Sequence, residues 1–147
     1  MNDDPFSEQA EGIATVLRQV AGLTVYTAPS DAPTGRATAA IKLDRVLYYR
    51  DDDGQGLGPF GMACHWMIRL ETPRISTNAG TLGLYQLLNP RADASLSVVS
   101  ALKSDPTVND TCAASVVRLA NQLGTTEAGP ESHMTATVEL ITYGDTT

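Results

Sequence analysis

The stretch FGMACHWMIRLE, residues 60–71, alternates without a break, and that alternation constrains the fold more than any other part of the chain. Phe60, Met62, Cys64, Trp66, Ile68 and Leu70 fall on one side of an extended backbone, and His65, Arg69 and Glu71 fall on the other. Successive side chains of a strand point to opposite faces of its sheet, so this segment is a strand buried on one face only. Just upstream, AAIKLDRVLYYR sets Ile41, Leu43, Leu47 and Tyr49 on one side, interrupted by Arg45. Two half-buried strands in succession, joined by a glycine-rich connection, make an antiparallel hairpin.

That connection, RDDDGQGLGPFG, packs three carboxylates and four glycines into residues 50–61 and invites two readings as a ligand site. As a calcium loop begun at Asp51 it would offer Asp51, Asp53 and Gln55, with Gly56 at the sharp turn. The twelfth position, where a bidentate Glu is needed, is Met62, and both flanks are strands rather than helices. As a dinucleotide motif, Gly56, Gly58 and Gly61 spell G-x-G-x-x-G, but Pro59 and a strand follow where the motif needs a helix N-terminus. The residues fit a wet hairpin tip better, with glycine supplying positive φ and aspartate supplying solvation.

The rest of the chain supplies helices and further strands. DDPFSEQAEGIATVLRQVAG reads as a first helix: Asp4 caps it, Pro5 suits its first position, and Glu8 and Glu11 favour its positive end. Phe6, Ala10, Ile13, Leu17 and Val20 form its apolar face, and Gly22 stops it. LTVYT is a short strand, and residues 28–36, rich in Pro, Ser, Gly and Asp, form an exposed loop. STNAGTLGLYQLLNP predicts a second helix with Leu82, Tyr85 and Leu88 inward. DASLSVVSALKSDP predicts a third, capped by Asp93, with Leu96, Val99 and Leu102 inward. Residues 112–123 are ambiguous: Val116 and Val117 favour a strand, RLANQL suits a helix, and strand is the preferred reading. ESHMTATVELITYG is a final strand, with Met134, Ala136, Val138 and Leu140 opposed to Thr135, Thr137 and Glu139. Helix, strand, hairpin, two helices and two strands describe one α+β domain over residues 1–147. Its sheet is mainly antiparallel, with helices packed on one face.

Composition narrows the function. At 147 residues the chain can build one core without metal or disulfide, and the low aromatic content of 5% makes that core thin and aliphatic. A formal charge of −7 disfavours gripping nucleic acid, which needs clustered Lys and Arg to displace counterions. MNDDPFSEQAEG has neither a basic start nor an apolar run, so no secretory signal is expected, and no stretch reaches the length of a membrane span. Cys64 and Cys112 could form one bridge at most; without export, free thiols are the ordinary outcome, and the sequon at Asn109 carries no meaning.

Chemistry finds few candidates. His65 and Cys64 are neighbours on a strand and so point to opposite faces, which keeps them from sharing a metal ion. Cys64 belongs with the core, and His133 stands near a strand end as an ordinary edge histidine. H-E-x-x-H, G-x-S-x-G and P-loop patterns are absent from the sequence. No catalytic residue, metal ligand or cofactor is therefore expected. Asp44 and Arg45 interrupt a half-buried strand. They are either a solvated, charged edge that discourages further pairing or one half of an intersubunit salt bridge.

In order of elements and local character, much of the chain resembles the tail terminator (tail completion) family of long-tailed bacteriophages. The resemblance runs through VLRQVAGLTVYTAPSDAP, AAIKLDRVLYY, the glycine-rich tip and MACHWMIRLET. It continues in LGLYQLLN, SVVSALKSD and the closing HMTATVELITYG. It covers most of the chain and rests on no diagnostic signature. It implies a homohexameric ring in the neck of the virion, assembled in the host cytoplasm. Such a ring caps the tail tube, ends tube polymerisation and offers the surface for head-tail joining. The implied partners are further copies of the chain, the tail tube protein and the head-tail connector proteins, with DNA passing through the lumen without specific binding and no membrane involved. A closed ring needs heterologous contacts, for which one sheet edge and the connections 28–36 and 51–59 are the candidates. The residues expected at an interface or facing the channel are Asp51, Asp52, Asp53, Asp44 and Arg45. Three readings compete with this one: another neck, head-completion or tube protein; a small cytoplasmic binding module; and an enzyme using His65, His133 and Asp44.

Overall fold

A computed structural model describes residues 4–27, 37–49, 61–73, 77–128 and 131–145. Helix α1 (Pro5–Leu17) starts as its sequence dictates: the Asp4 carboxylate accepts from the Phe6 N–H at 2.9 Å, Pro occupies the first turn and Glu8 lies beside it. After α1 the chain turns at Gly22, whose φ of +76° is open to glycine at little cost, and enters β1 (Leu23–Tyr26). Strand β1 runs parallel to β2 (Ala37–Tyr49), which pairs antiparallel with β3 (Gly61–Pro73). Then follow α2 (Thr77–Leu88), α3 (Val98–Ser104), β4 (Ala114–Ala128) and β5 (Glu131–Asp145). The order across the sheet is β1-β2-β3-β5-β4, and every pairing except β1 with β2 is antiparallel. The α+β class read from the sequence is what forms, and the ambiguous segment around Cys112 continues into strand β4.

The core lies between one face of the sheet and the three helices. Cys64, Trp66, Ile68 and Leu70 of β3 meet Ala136, Val138 and Leu140 of β5, with Ile13, Leu17, Leu84, Val98 and Leu102 packed above them. The alternation of β3 survives intact because its pairing with β5 is continuous in register and the irregularity in its pairing with β2 adds a residue to β2 rather than to β3.

Strand β2 departs from its expected phase. Register shifts between Leu43 and Arg45, leaving Asp44 as an extra residue in a bulge. Beyond the bulge the faces exchange, so Val46 packs against the core and Leu47, expected inward, is 48% exposed. Two helix faces are also corrected. In α2 the buried residues are Leu84 and Leu87, while Leu82 and Tyr85 are 55% and 56% exposed. Both sets have helical spacing, and of the three residues expected inward only Leu88 is partly buried against the core. The third helix starts later than expected, since Ser97, not Asp93, is its cap. Ser97 Oγ accepts from Ser100 N at 3.3 Å and donates to the Leu87 carbonyl at 3.0 Å, which ties the start of α3 to the end of α2. Leu96 therefore lies in the turn before the helix and is exposed, whereas Val99 and Leu102 point inward as expected.

A buried polar cluster fastens α1 to the sheet. Thr142 Oγ1 donates to Gln9 Oε1 at 2.6 Å, and the Trp66 indole N–H donates to both groups, at 3.3 Å to Gln9 and 3.2 Å to Thr142. All three side chains are nearly inaccessible, so the bonds replace the water each group gives up.

Candidate assembly surface

The helices pack on one face of the sheet, and the opposite face carries no helix among the described residues. Register builds this bare face in rows across four strands. One row holds Leu47, Ala63, Tyr143 and Ala114; the next holds Arg45, His65, Ile141 and Val116; the third holds Lys42, Met67, Glu139 and Leu119. Ala40, Arg69 and Thr137 follow in the row below. Ala63, His65 and Ile141 are buried in the middle of the face, while Leu47 and Val116 on the outer strands stand about half exposed.

Its charged groups are arranged around a hydrogen bond between His65 and Glu139. His65 is 4% exposed and its Nδ1 lies 2.9 Å from Glu139 Oε1; a carboxylate can only accept, so this nitrogen carries the proton. Arg118 reaches the same carboxylate oxygen at 4.0 Å from the next strand. Arg69 and Glu71 pair at 3.1 Å along β3. Lys42 and Arg45 form no ion pair among the described residues, and both are exposed. The burial of His65 was not legible in its alternation. Its strand neighbours supply the cover, and only the pairing of β3 with β2 and β5 brings them there.

Strands β2 and β4 both carry bulges with a charged extra residue. On β2 this is Asp44, and on β4 it is Arg118, with a second shift between Asn121 and Gly124. Strand β1 covers β2 only from Ala37 to Ala40, so the bulge at Asp44 falls on the part of β2 beyond that cover. Asp44 and Arg45 thus occupy a charged, bulged edge, with Arg45 turned to the bare face beside His65. Asp51, Asp52 and Asp53, the connection 28–36 and the calcium-loop and glycine-motif readings lie outside the described residues. Met62, the twelfth position of that loop, is a buried core residue of β3. His133 is on β5 opposite Pro73, and its side chain too lies outside the described set.

Other chemistry among the described residues is sparse. A depression of about 250 Å³ between the start of α1 and β2 is lined by Phe6, Ser7, Ala10, Thr27, Ile41, Leu43 and Trp66 and by the backbone side of Lys42, whose register opposite Met67 puts its side chain on the other face. It is smaller than ordinary small-molecule sites, and no acid-base pair converges in it. Among the described residues no three His, Cys, Asp or Glu side chains stand together as metal ligands, and no helix is long and apolar enough to cross a membrane. Both cysteines are free; burial pushes the Cys64 thiol up and the Cys112 thiol up to about 11. Neither is a ready nucleophile at neutral pH. Large apolar side chains stand exposed on both layers: Leu47 and Val116 on the bare sheet face, and Leu82 and Tyr85 on the helical layer. No protein-family model matches the chain, and no curated protein matches it.

Proposed function

We propose that this chain is a structural virion protein, a phage tail terminator that assembles into a ring, caps the tail tube, ends its polymerisation and presents the surface for head joining. The observation that carries the reading is the pair of surfaces just described. One sheet face is bare of helices among the described residues and exposes Leu47 and Val116, while the helical layer behind it exposes Leu82 and Tyr85. A ring subunit in a stack needs surfaces for its neighbours in the ring and others for the components above and below. Apolar side chains spread over two layers meet that need. The resemblance in element order points to the same role, and the mechanism is steric: no bond is made or broken.

The acidic balance of the chain, −7, suits a ring through which DNA passes without sticking. In this reading the protein works in the neck of the virion and is made in the host cytoplasm. The test is electron microscopy of the purified chain mixed with purified tail tube protein. One ring at one end of each tube, with tubes shortened as the chain is added, supports the proposal. Long tubes formed by the chain alone would make it a tube protein instead. Indifference to tubes, with a small molecule retained on purification, would make it a binding module.

A further inference from the structure

We infer that the bare face of the sheet docks the outer surface of α1 from a second copy of this chain; the inference rests on the ring reading and names the contact that closes it. Edge-to-edge pairing is discouraged on the edge strand β4 and on the part of β2 that the short β1 leaves uncovered, because each is bulged at a charged residue. The face is a better candidate, and its charge selects the occupant. Lys42 and Arg45 stand exposed on β2 without an ion pair among the described residues, on a chain whose net charge is −7. An unbalanced pair of cations on an acidic protein is complementary to the rest of that protein.

Helix α1 supplies the anions. Glu8 and Glu11 are exposed on its outer surface; Glu8 forms no ion pair among the described residues, and Glu11 meets Arg18 only at 3.8 Å, between side chains more than half exposed. Helix α1 packs on the core face of the sheet, so the two charged surfaces lie on opposite sides of one subunit. That is the arrangement a head-to-tail contact requires: every copy offers one cationic face and one anionic helix, and the chain of contacts ends only when the ring closes. Leu47 and Val116 flank the contact and add apolar area to it.

The experiment uses charge reversal in the full chain. Two variants are made, Lys42→Glu with Arg45→Glu, and Glu8→Lys with Glu11→Lys, each checked for unchanged circular dichroism. Light scattering at low salt, about 50 mM, where screening is weak, reads their mass. Each variant alone should lose assembly by at least about tenfold in concentration, since like charges then face each other. An equimolar mixture should restore the ring, because every face now meets a helix of opposite charge in an alternating order. Misfolding cannot produce that rescue. Rings that persist in both variants, or a mixture that stays dissociated, overturn the assignment of this surface while leaving the ring intact. A wild-type chain that is monomeric throughout removes the ring reading itself.

Discussion

Replacing Gly12 by Ala tests the packing of α1 with a change of sign. On helix propensity alone the substitution stabilises an interior helical position by about 1 kcal/mol. The structure opposes it. A Cβ on Gly12 would lie 2.6 Å from the Val108 carbonyl oxygen and 2.7 and 2.8 Å from Thr111 side-chain atoms, closer than atoms can stand without moving. The carbonyl has little room to yield: Thr111 Oγ1 donates to it at 2.7 Å, and Val108, Asn109 and Asp110 are held at φ values of 49°, 57° and 60°. Left-handed backbone is costly for a β-branched residue such as Val108, so that turn is already held against its preference. Overpacking costs about 1–3 kcal/mol, and a weakened hydrogen bond adds about 1 kcal/mol. The net expectation is a loss of about 1–3 kcal/mol, or a fall of about 3–10 °C in Tm. Urea denaturation and a thermal scan measure both, and Thr111→Ala should recover part of the loss by removing two of the close atoms. A Gly12→Ala protein more stable than the parent would refute the close approach of α1 to this turn.

Other outcomes follow from the buried groups. Thr142→Val keeps shape but removes both the donor to Gln9 and the acceptor of the Trp66 N–H, for an expected loss of about 1–3 kcal/mol in urea. Trp66 is the single tryptophan, so its emission should shift in the folded variant; an unchanged spectrum and midpoint would show that the cluster contributes nothing. Burial raises the Cys112 thiol from 9.0 to about 11, so its contribution to stability is present below pH 9.0 and is lost as pH rises towards 11. Cys112→Ser should flatten the stability profile across that window, and the parent should react slowly with iodoacetamide at pH 8. The Asp4 carboxyl is held below its ordinary 3.8 by the Ser7 hydroxyl and then by the Phe6 N–H. Its stabilisation is present above pH 3.8 and disappears as pH falls through the lowered value. Asp4→Asn should leave a flatter acid limb in the melting temperature measured between about pH 2 and 5.

What the sequence revealed depended on whether a residue's environment is local. The Asp4 cap and the alternation of β3 are set by neighbours within a few positions, and both formed as read, whereas α1 ends at Leu17 with Arg18 as its cap, short of the stop expected at Gly22. The bulge at Asp44 is a property of β2 against β3, and a period of two read from one strand has no means of detecting the extra residue. The face of α2 failed for a different reason. TLGLYQLL is apolar on two sides, and only docking against β3 and β5 decides that Leu84 and Leu87 go in. Gln9 and Thr142 lie 133 positions apart, so their bond was invisible. The candidate surface was legible in one respect: Arg45 was singled out as breaking an apolar pattern. Its place beside His65 and near Lys42, on a face without helices, required the sheet.

Sedimentation equilibrium of the purified chain, from about 1 to 100 µM, bears most directly on the claim that this surface exists to hold copies together; dissociation constants for such interfaces span that range. The account predicts a single closed species at about six times the 15.6 kDa chain mass, weakened by added salt as charge-charge contacts are screened. A mass of 15.6 kDa at every concentration and every salt would contradict it.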